Sequence, residues 1–316
     1  GDRFGSAIVA LGDLDGNGVG DLAVGAGGDG GSSGFLTGPG ATYLLFLDPN
    51  GTIRDFEKFN ADSSAFQGLL DLGDAFGDAL ASPGDLDGNG VPDLIVGAPG
   101  DGAGGANTGA VWVLFLDSAH HVQSKTKLTT LANGLEGALS PGENFGTALA
   151  ALGDLDGDGI TELAVGSDSP QKLRVLFLDS QGRVRSHVQI ALANVGRAVV
   201  ALGDVDGDGV EDMAANTRIL LLNADGTLKS ASAPLPAPSY SGFGAALAAP
   251  GDTNSDGRPD LLVGSPGASV RVPSSGAISF STASWQALAE PGTANTTVRP
   301  TRPAQARERI AAGPIS

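Results

Sequence analysis

The chain of 316 residues contains no cysteine. That excludes disulfides, zinc–thiolate sites and thiol nucleophiles together, and it fits a cytosolic protein and a cysteine-poor secreted bacterial protein equally well. Aromatic residues make up only 5%. No apolar run approaches the ~20 residues of a membrane span, so no membrane insertion by this segment is expected. Bases are few, 18 Lys and Arg against 36 Asp and Glu, for a net charge of −18. Such a surface is a poor partner for nucleic acid or an anionic membrane. No stretch sustains an apolar 3.6-residue period, which excludes long amphipathic helices. No signal peptide is visible, but residue 1 falls inside a repeat unit, so further chain upstream is expected.

Glycine is abundant instead, 50 residues, roughly twice the usual share. Self-comparison explains it. Five segments align: GDLDGNGVGDLAVGA from Gly12, GDLDGNGVPDLIVGA from Gly84, GDLDGDGITELAVGS from Gly153, GDVDGDGVEDMAANT from Gly203 and GDTNSDGRPDLLVGS from Gly251. Their first aspartates are 72, 69, 50 and 48 residues apart, so the unit is fixed and its loops vary. A leader precedes each one: FGSAIVAL from Phe4, FGDALASP from Phe76, FGTALAAL from Phe145, FGAALAAP from Phe243 and the weaker VGRAVVAL from Val195. A second apolar run follows, YLLFLD from Tyr43, VWVLFLD from Val111, LRVLFLD from Leu173 and RILLLN from Arg218, then turn residues and a fourth, alternating segment.

Four short strands per repeat, joined by hairpins, predict an all-β fold: a β-propeller of four-stranded antiparallel blades, five of them visible. The blades fall at about 1–60, 61–130, 131–190, 191–232 and 233–290 of a propeller domain 1–290, with QALAE after Trp285 as a residual last strand. Residues 291–316, rich in Pro, Thr, Ala and Arg, read as a disordered tail or linker.

The acidic loops read as metal sites. Oxygen donors at positions 1, 3, 5, 7 and 9, with a glycine at 6 for the sharp turn, wrap a hard cation. The first loop offers Asp13, Asp15, Asn17, the Val19 carbonyl and Asp21, and the second Asp85, Asp87, Asn89, the Val91 carbonyl and Asp93. The third has Asp154, Asp156, Asp158, the Ile160 carbonyl and Glu162, and the fourth Asp204, Asp206, Asp208, the Val210 carbonyl and Asp212. The fifth has Asp252, Asn254, Asp256, the Arg258 carbonyl and Asp260. Polar turns alone do not explain so many oxygens converging in every copy, since without a cation they repel. These loops hold 17 of the chain's 36 carboxylates, and five bound Ca²⁺ would bring the net charge from −18 to −8. An EF-hand would need a glutamate at position 12 and a helix after it. Here position 12 is Val24, Val96, Val165, Ala215 or Val263, inside a strand-like run. All-oxygen ligation in so open a loop favours calcium over magnesium and over softer metals.

Phe-Gly at the start of strand one, the D-x-D/N-x-D/N-G-x-x-D loop and Gly97-Ala98-Pro99 after strand two recur in order over about residues 2–285. They resemble the FG-GAP repeat, the blade unit of the integrin α-subunit N-terminal propeller, and are most similar to its bacterial relatives. The resemblance implies calcium loops on the lower face, between strands one and two, and recognition loops such as 27–41 and 99–109 on the upper face. Integrins have seven blades, so five visible units imply either a fragment of a seven-bladed ring or a smaller closed one; a chain starting at a strand-one leader favours the fragment.

The function expected is a calcium-stabilised scaffold for adhesion or ligand binding, extracellular or at the cell surface, with an unknown protein or glycan ligand on the upper loops. No catalytic site is expected. The histidines, His120, His121 and His187, are read as exposed residues of a turn and a fourth strand, and the loop carboxylates are taken by calcium. The alternatives are the non-catalytic propeller of a larger secreted enzyme and a structural spacer in a repetitive surface protein.

Overall fold

The computed structural model describes residues 2–30, 38–235, 242–253, 255 and 258–264. The expected strand after Trp285, the tail 291–316, Asn254 and Asp256 lie outside the described residues. Within them the chain is all β, with eighteen strands and no helix.

The first sheet comprises β1 (Phe4–Gly12), β2 (Asp21–Ala26), β3 (Ala41–Leu47) and β4 (Ile53–Asn60). The second comprises β5 (Ala79–Gly84), β6 (Asp93–Ala98), β7 (Ala110–Leu116) and β8 (Val122–Leu128). The third has β9 (Phe145–Ala151), β10 (Leu163–Asp168), β11 (Gln171–Leu178) and β12 (Val184–Gln189). The fourth has β13 (Val199–Gly203), β14 (Asp212–Ala215), β15 (Arg218–Leu222) and β16 (Leu228–Ala231). All four are antiparallel meanders in chain order, and β17 (Ala246–Gly251) pairs with β18 (Asp260–Gly264) as the described part of a fifth.

The sequence pattern explains how these sheets stack. Third strands are apolar on both faces; in β7 both are covered, and it is buried along its whole length. Fourth strands are wetter, β8 mostly part-exposed and β12 largely exposed. First strands follow one another, β1 against β5, β5 against β9, β9 against β13 and β13 against β17. The ends of the last four gather round one recess lined by Gly84, Gly153, Gly203 and Gly251. Between sheets lie apolar layers. Leu44, Phe46 and Phe59 meet Leu94, Val96 and Trp112; Ile95 and Val113 meet Val165 and Leu176; Val175 and Phe177 meet Met213 and Leu220.

The Phe-Gly and Gly-Ala motifs meet at these contacts. A Cβ on Gly97, in the Gly-Ala of sheet two, would sit 2.1 Å from the carbonyl oxygen of Gly146, in the Phe-Gly of sheet three. The pairs Gly25–Gly77 and Gly166–Gly196 repeat the approach, at 1.8 and 1.9 Å. The glycines therefore set how closely successive sheets pack. Gly97→Ala is expected to destabilise the chain by about 2 kcal/mol through forced separation of sheets two and three. An unchanged denaturation midpoint would remove the glycine contact from the account.

Sheet one has one covered face and one bare one. Phe4, Ile8 and Phe56 are 59%, 63% and 56% exposed, and Tyr43 lies against both Phe4 and Phe56. The counterparts of Phe4, Ile8 and Tyr43 in sheet two are Phe76, Leu80 and Trp112, and these are buried beneath sheet one. The bare face thus has the composition of a face that another sheet covers.

Candidate metal centre

Each acidic loop joins the first strand of a sheet to the second, and its backbone folds round the position-1 carboxylate. Asp154 Oδ1 accepts N–H bonds from Gly157 and Asp158 at 2.7 and 3.0 Å, and its Oδ2 one from Gly159 at 2.8 Å. Asp85 and Asp204 accept the same three, and Asp13 the last two. Position 5 turns the chain again: Asn17, Asn89, Asp158 and Asp208 accept from the N–H of position 7, at 2.7–2.9 Å. Two glycines make this path possible. Position 6 is one, with φ of 88° at Gly159; position 4 is the other, with φ of 81° at Gly157. The second requirement goes unread in the sequence, and the fifth loop departs from it, holding Ser255 at φ 62°.

The position-9 carboxylates are buried and do more than face the loop. Asp93 Oδ2 accepts the Leu86 N–H at 2.8 Å and Oδ1 the Leu116 N–H at 3.1 Å, tying the loop to the end of the third strand. Asp21 and Asp212 make the same pair of bonds. Asp260 accepts from Thr253 N–H at 2.9 Å. Glu162 accepts from Leu155 N–H at 2.6 Å, but its Oε1 is buried with no hydrogen-bond partner.

The structure brings three of the expected carboxylates together in each of the first four loops. Ligand oxygens of Asp13, Asp15 and Asp21, of Asp85, Asp87 and Asp93, of Asp154, Asp156 and Glu162, and of Asp204, Asp206 and Asp208 lie within 4.8 Å of one another in each group. Oxygens that share one Ca²⁺ at 2.3–2.6 Å can be at most about 5 Å apart. The groups fit that limit, and the orphaned buried oxygen of Glu162 is an acceptor that a cation would satisfy. With no cation bound, burial pushes Glu162 up to about 7, helped by repulsion from Asp156, Asp158 and Asp154 and opposed by the Leu155 N–H. Burial likewise pushes Asp93 up to about 6, against the Leu86 and Leu116 N–H bonds and with Asp87 and Asp85 adding to it. Asp212 is raised mainly by burial too. In the fifth loop, Asp252, Arg258 and Asp260 are the described members of the expected set.

Comparison with known proteins matches these elements. The FG-GAP repeat model covers residues 76–114 and 243–280, and an FG-GAP-like repeat model covers 154–215. The chain belongs to the FG-GAP repeat family. Integrin alpha-PS5 of Drosophila melanogaster is 32% identical over 53% of this chain and 15% of its own length. Human integrin alpha-IIb is 42% identical over 31% of this chain and 8% of its own. The FG-GAP chain thus spans a small part of these relatives. Among solved structures, the exotype rhamnogalacturonan lyase YesX aligns over 81% of this chain and 45% of that one, at a TM-score of 0.45 and 14% identity.

Twelve of the 17 carboxylates singled out in the FG-GAP loops fall in the four converged groups; Asp158 and Asp212 do not. His120 is a correction. Sequence reading leaves it exposed; it is half-buried, its ring 4.8 Å from Phe46 and its Nε2 2.9 Å from the Leu14 carbonyl oxygen, to which it donates. The corresponding turn positions are Gly51, Gly182 and Gly226, all at positive φ; His120 takes the same conformation at φ 65° and so turns its ring onto sheet one. His121 and His187 are exposed.

Proposed function

We propose that this chain is the calcium-binding part of a β-propeller, working as a secreted or cell-surface scaffold for ligand binding, with calcium in a structural role and no catalytic role. The observation that carries this reading is the convergence of carboxylate oxygens in the same loop of four successive sheets, with the buried position-9 carboxylate part of the converged group in the first three. Stacked meanders whose first strands follow one another support a propeller, and the bare face of sheet one is the seat of a further blade of the same repeat. The Val19, Val91, Ile160 and Val210 carbonyls would complete the cages, and the sequence of the fifth loop, with Asn254, Asp256 and the Arg258 carbonyl, offers the same donor set. Calcium supplies the positive charge that these carboxylates lack; the loop backbone holds them in place before it arrives. The adhesion role follows the integrin relatives, with the ligand, protein or glycan, on loops at the opposite end from the cages.

Asp154→Ala combined with Asp158→Ala is expected to lower the bound calcium by one per chain in calorimetry. Unchanged stoichiometry would defeat the assignment of these ligands. For the scaffold role, binding to an array of glycans and matrix proteins is expected to weaken in EGTA; a stability change without any array partner would favour a spacer.

A further inference from the structure

One strand position faces each cage and differs between repeats. Arg54, Gln123, Arg185 and Lys229 each stand six residues after the residue that follows the third strand, namely Asp48, Asp117, Asp179 and Asn223. They lie on the fourth strands β4, β8, β12 and β16. In three sheets this residue is a cation, and it reaches back across the sheet to cage carboxylates. Arg54 pairs with Asp15. Arg185 Nη2 lies 3.2 Å from Asp156 Oδ2 and also pairs with Asp158. Lys229 Nζ lies 2.7 Å from Asp206 Oδ2 and 2.6 Å from Asp208 Oδ2. In the second sheet the position is an exposed Gln123, and among the described residues no cation pairs with Asp85, Asp87 or Asp93.

We propose that these fourth-strand residues set calcium affinity loop by loop: Arg54, Arg185 and Lys229 compete with the ion for positions 3 and 5, while the second loop, facing Gln123, binds without a competitor and fills first. The inference rests on the calcium reading above and adds to it an order among the sites. Net of pairing, the first cage carries two negative charges and each of the other three carries three, so charge places the first loop last, and the lack of a competing cation places the second loop first. The first cage carries three carboxylates against one cation, and the second three against none. The third and fourth each carry an additional aspartate at position 5, Asp158 and Asp208, where the first two have asparagine. In exchange each has a cation resting on that same aspartate. Asn17 and Asn89 instead donate to the third-strand carbonyls of Leu47 and Leu116, at 2.8 and 2.9 Å, and need no counter-charge. The first loop, with the fewest negative charges after pairing, fills last. The chain would then take up calcium in stages and not as one event.

A unit charge about 6 Å from a divalent ion in a water-like dielectric changes its binding about tenfold. Stepwise calcium constants of the full chain, from titration against a chelating dye, should therefore show one tightest step. Asp87→Asn should weaken that step, Gln123→Lys should weaken it about tenfold, and Arg185→Gln should tighten a different step about tenfold. All three substitutions are at exposed or part-exposed side chains, and circular dichroism would check that each variant is folded. If Gln123→Lys and Arg185→Gln leave every constant within twofold while calcium still binds, or if Asp87→Asn spares the tightest step, the ordering is overturned and the calcium reading stands. If the wild-type chain takes up no calcium, the calcium reading itself fails and the ordering fails with it.

Discussion

Glu143→Gln is expected to destabilise this chain by about 4 kcal/mol, because it would leave a buried arginine without its counter-charge. Glu143 is fully buried and Arg174, on β11, is 2% exposed. Arg174 Nη1 donates to Glu143 Oε1, which also accepts from Ser167 Oγ at 3.3 Å. Oε2 accepts from Lys172 Nζ at 2.9 Å and from the Ser140 N–H at 3.1 Å. The other arm of the guanidinium donates to the Ala138 carbonyl at 3.1 Å, and the group stacks on Phe145, 5.9 Å from the ring centre. One carboxylate thus serves four donors from three segments. An amide of the same shape keeps the packing but loses the charge and turns an NH2 toward two of these donors, so the penalty combines lost charge with lost hydrogen bonds. Arg174→Met alone leaves the buried glutamate with Lys172 as its one cation and should cost less than Glu143→Gln, and the double variant, which removes both members of the buried pair, should cost far less than the sum of the two. Chemical denaturation of the three variants measures this; a loss under 1 kcal/mol for Glu143→Gln would remove the pair from the stabilising account. The pH dependence has a definite sign. Burial alone would raise Glu143, but Arg174 and Lys172 outweigh it and hold the group below the usual glutamate range. A depressed carboxylate contributes stability above its unfolded pKa, near 4.5, and that contribution disappears as pH falls through the folded value.

The network shows where sequence reading stops. An acid two residues before Phe-Gly recurs as Asp2, Asp74 and Glu143, so a signal existed. Its partner did not: Arg174 comes from a third strand 31 residues on, at a position that reads only as a break in LRVLFLD. The strands and the cage carboxylates were legible because their information is local, carried by alternation, turn glycines and two-residue spacing. The second bond of the position-9 carboxylate was not, since the N–H it accepts, Leu47 for Asp21, belongs to a strand 26 residues away. Phe-Gly and Gly-Ala were legible as motifs, but their cause is the contact of one repeat with the next, and no single repeat contains both sides of it. His120 went astray for a related reason: its turn is local, and the ring's destination on Phe46 is not.

Calcium removal is expected to have the largest effect of all. Each cage filled at a hundredfold excess over its Kd adds about 2.7 kcal/mol. Several together rival the ~5–15 kcal/mol that stabilises an ordinary domain. Chelation should therefore lower Tm by about 20 °C, and the reason lies in the loops: stripped of the cation, buried Asp93 and Glu162 repel the carboxylates beside them. The same groups set how the effect varies with pH. In the calcium-free chain their folded values, about 6 and about 7, exceed the unfolded ones. The folded state then holds more protons than the unfolded state, and calcium-free stability is full below the ordinary carboxylate range and falls as pH rises through 6 and 7. Calcium must displace those protons, so its binding strengthens over the same interval. The gap in Tm between calcium-loaded and chelated protein should widen from pH 5.5 to pH 8, with the chelated curve falling and the loaded one nearly level. Calorimetry at both pH values distinguishes this from a general salt effect, which magnesium or sodium at matched ionic strength would reproduce. A gap of equal size at the two pH values would mean that the buried position-9 carboxylates do not take part in binding, and that the cage closes on positions 1, 3 and 5 alone.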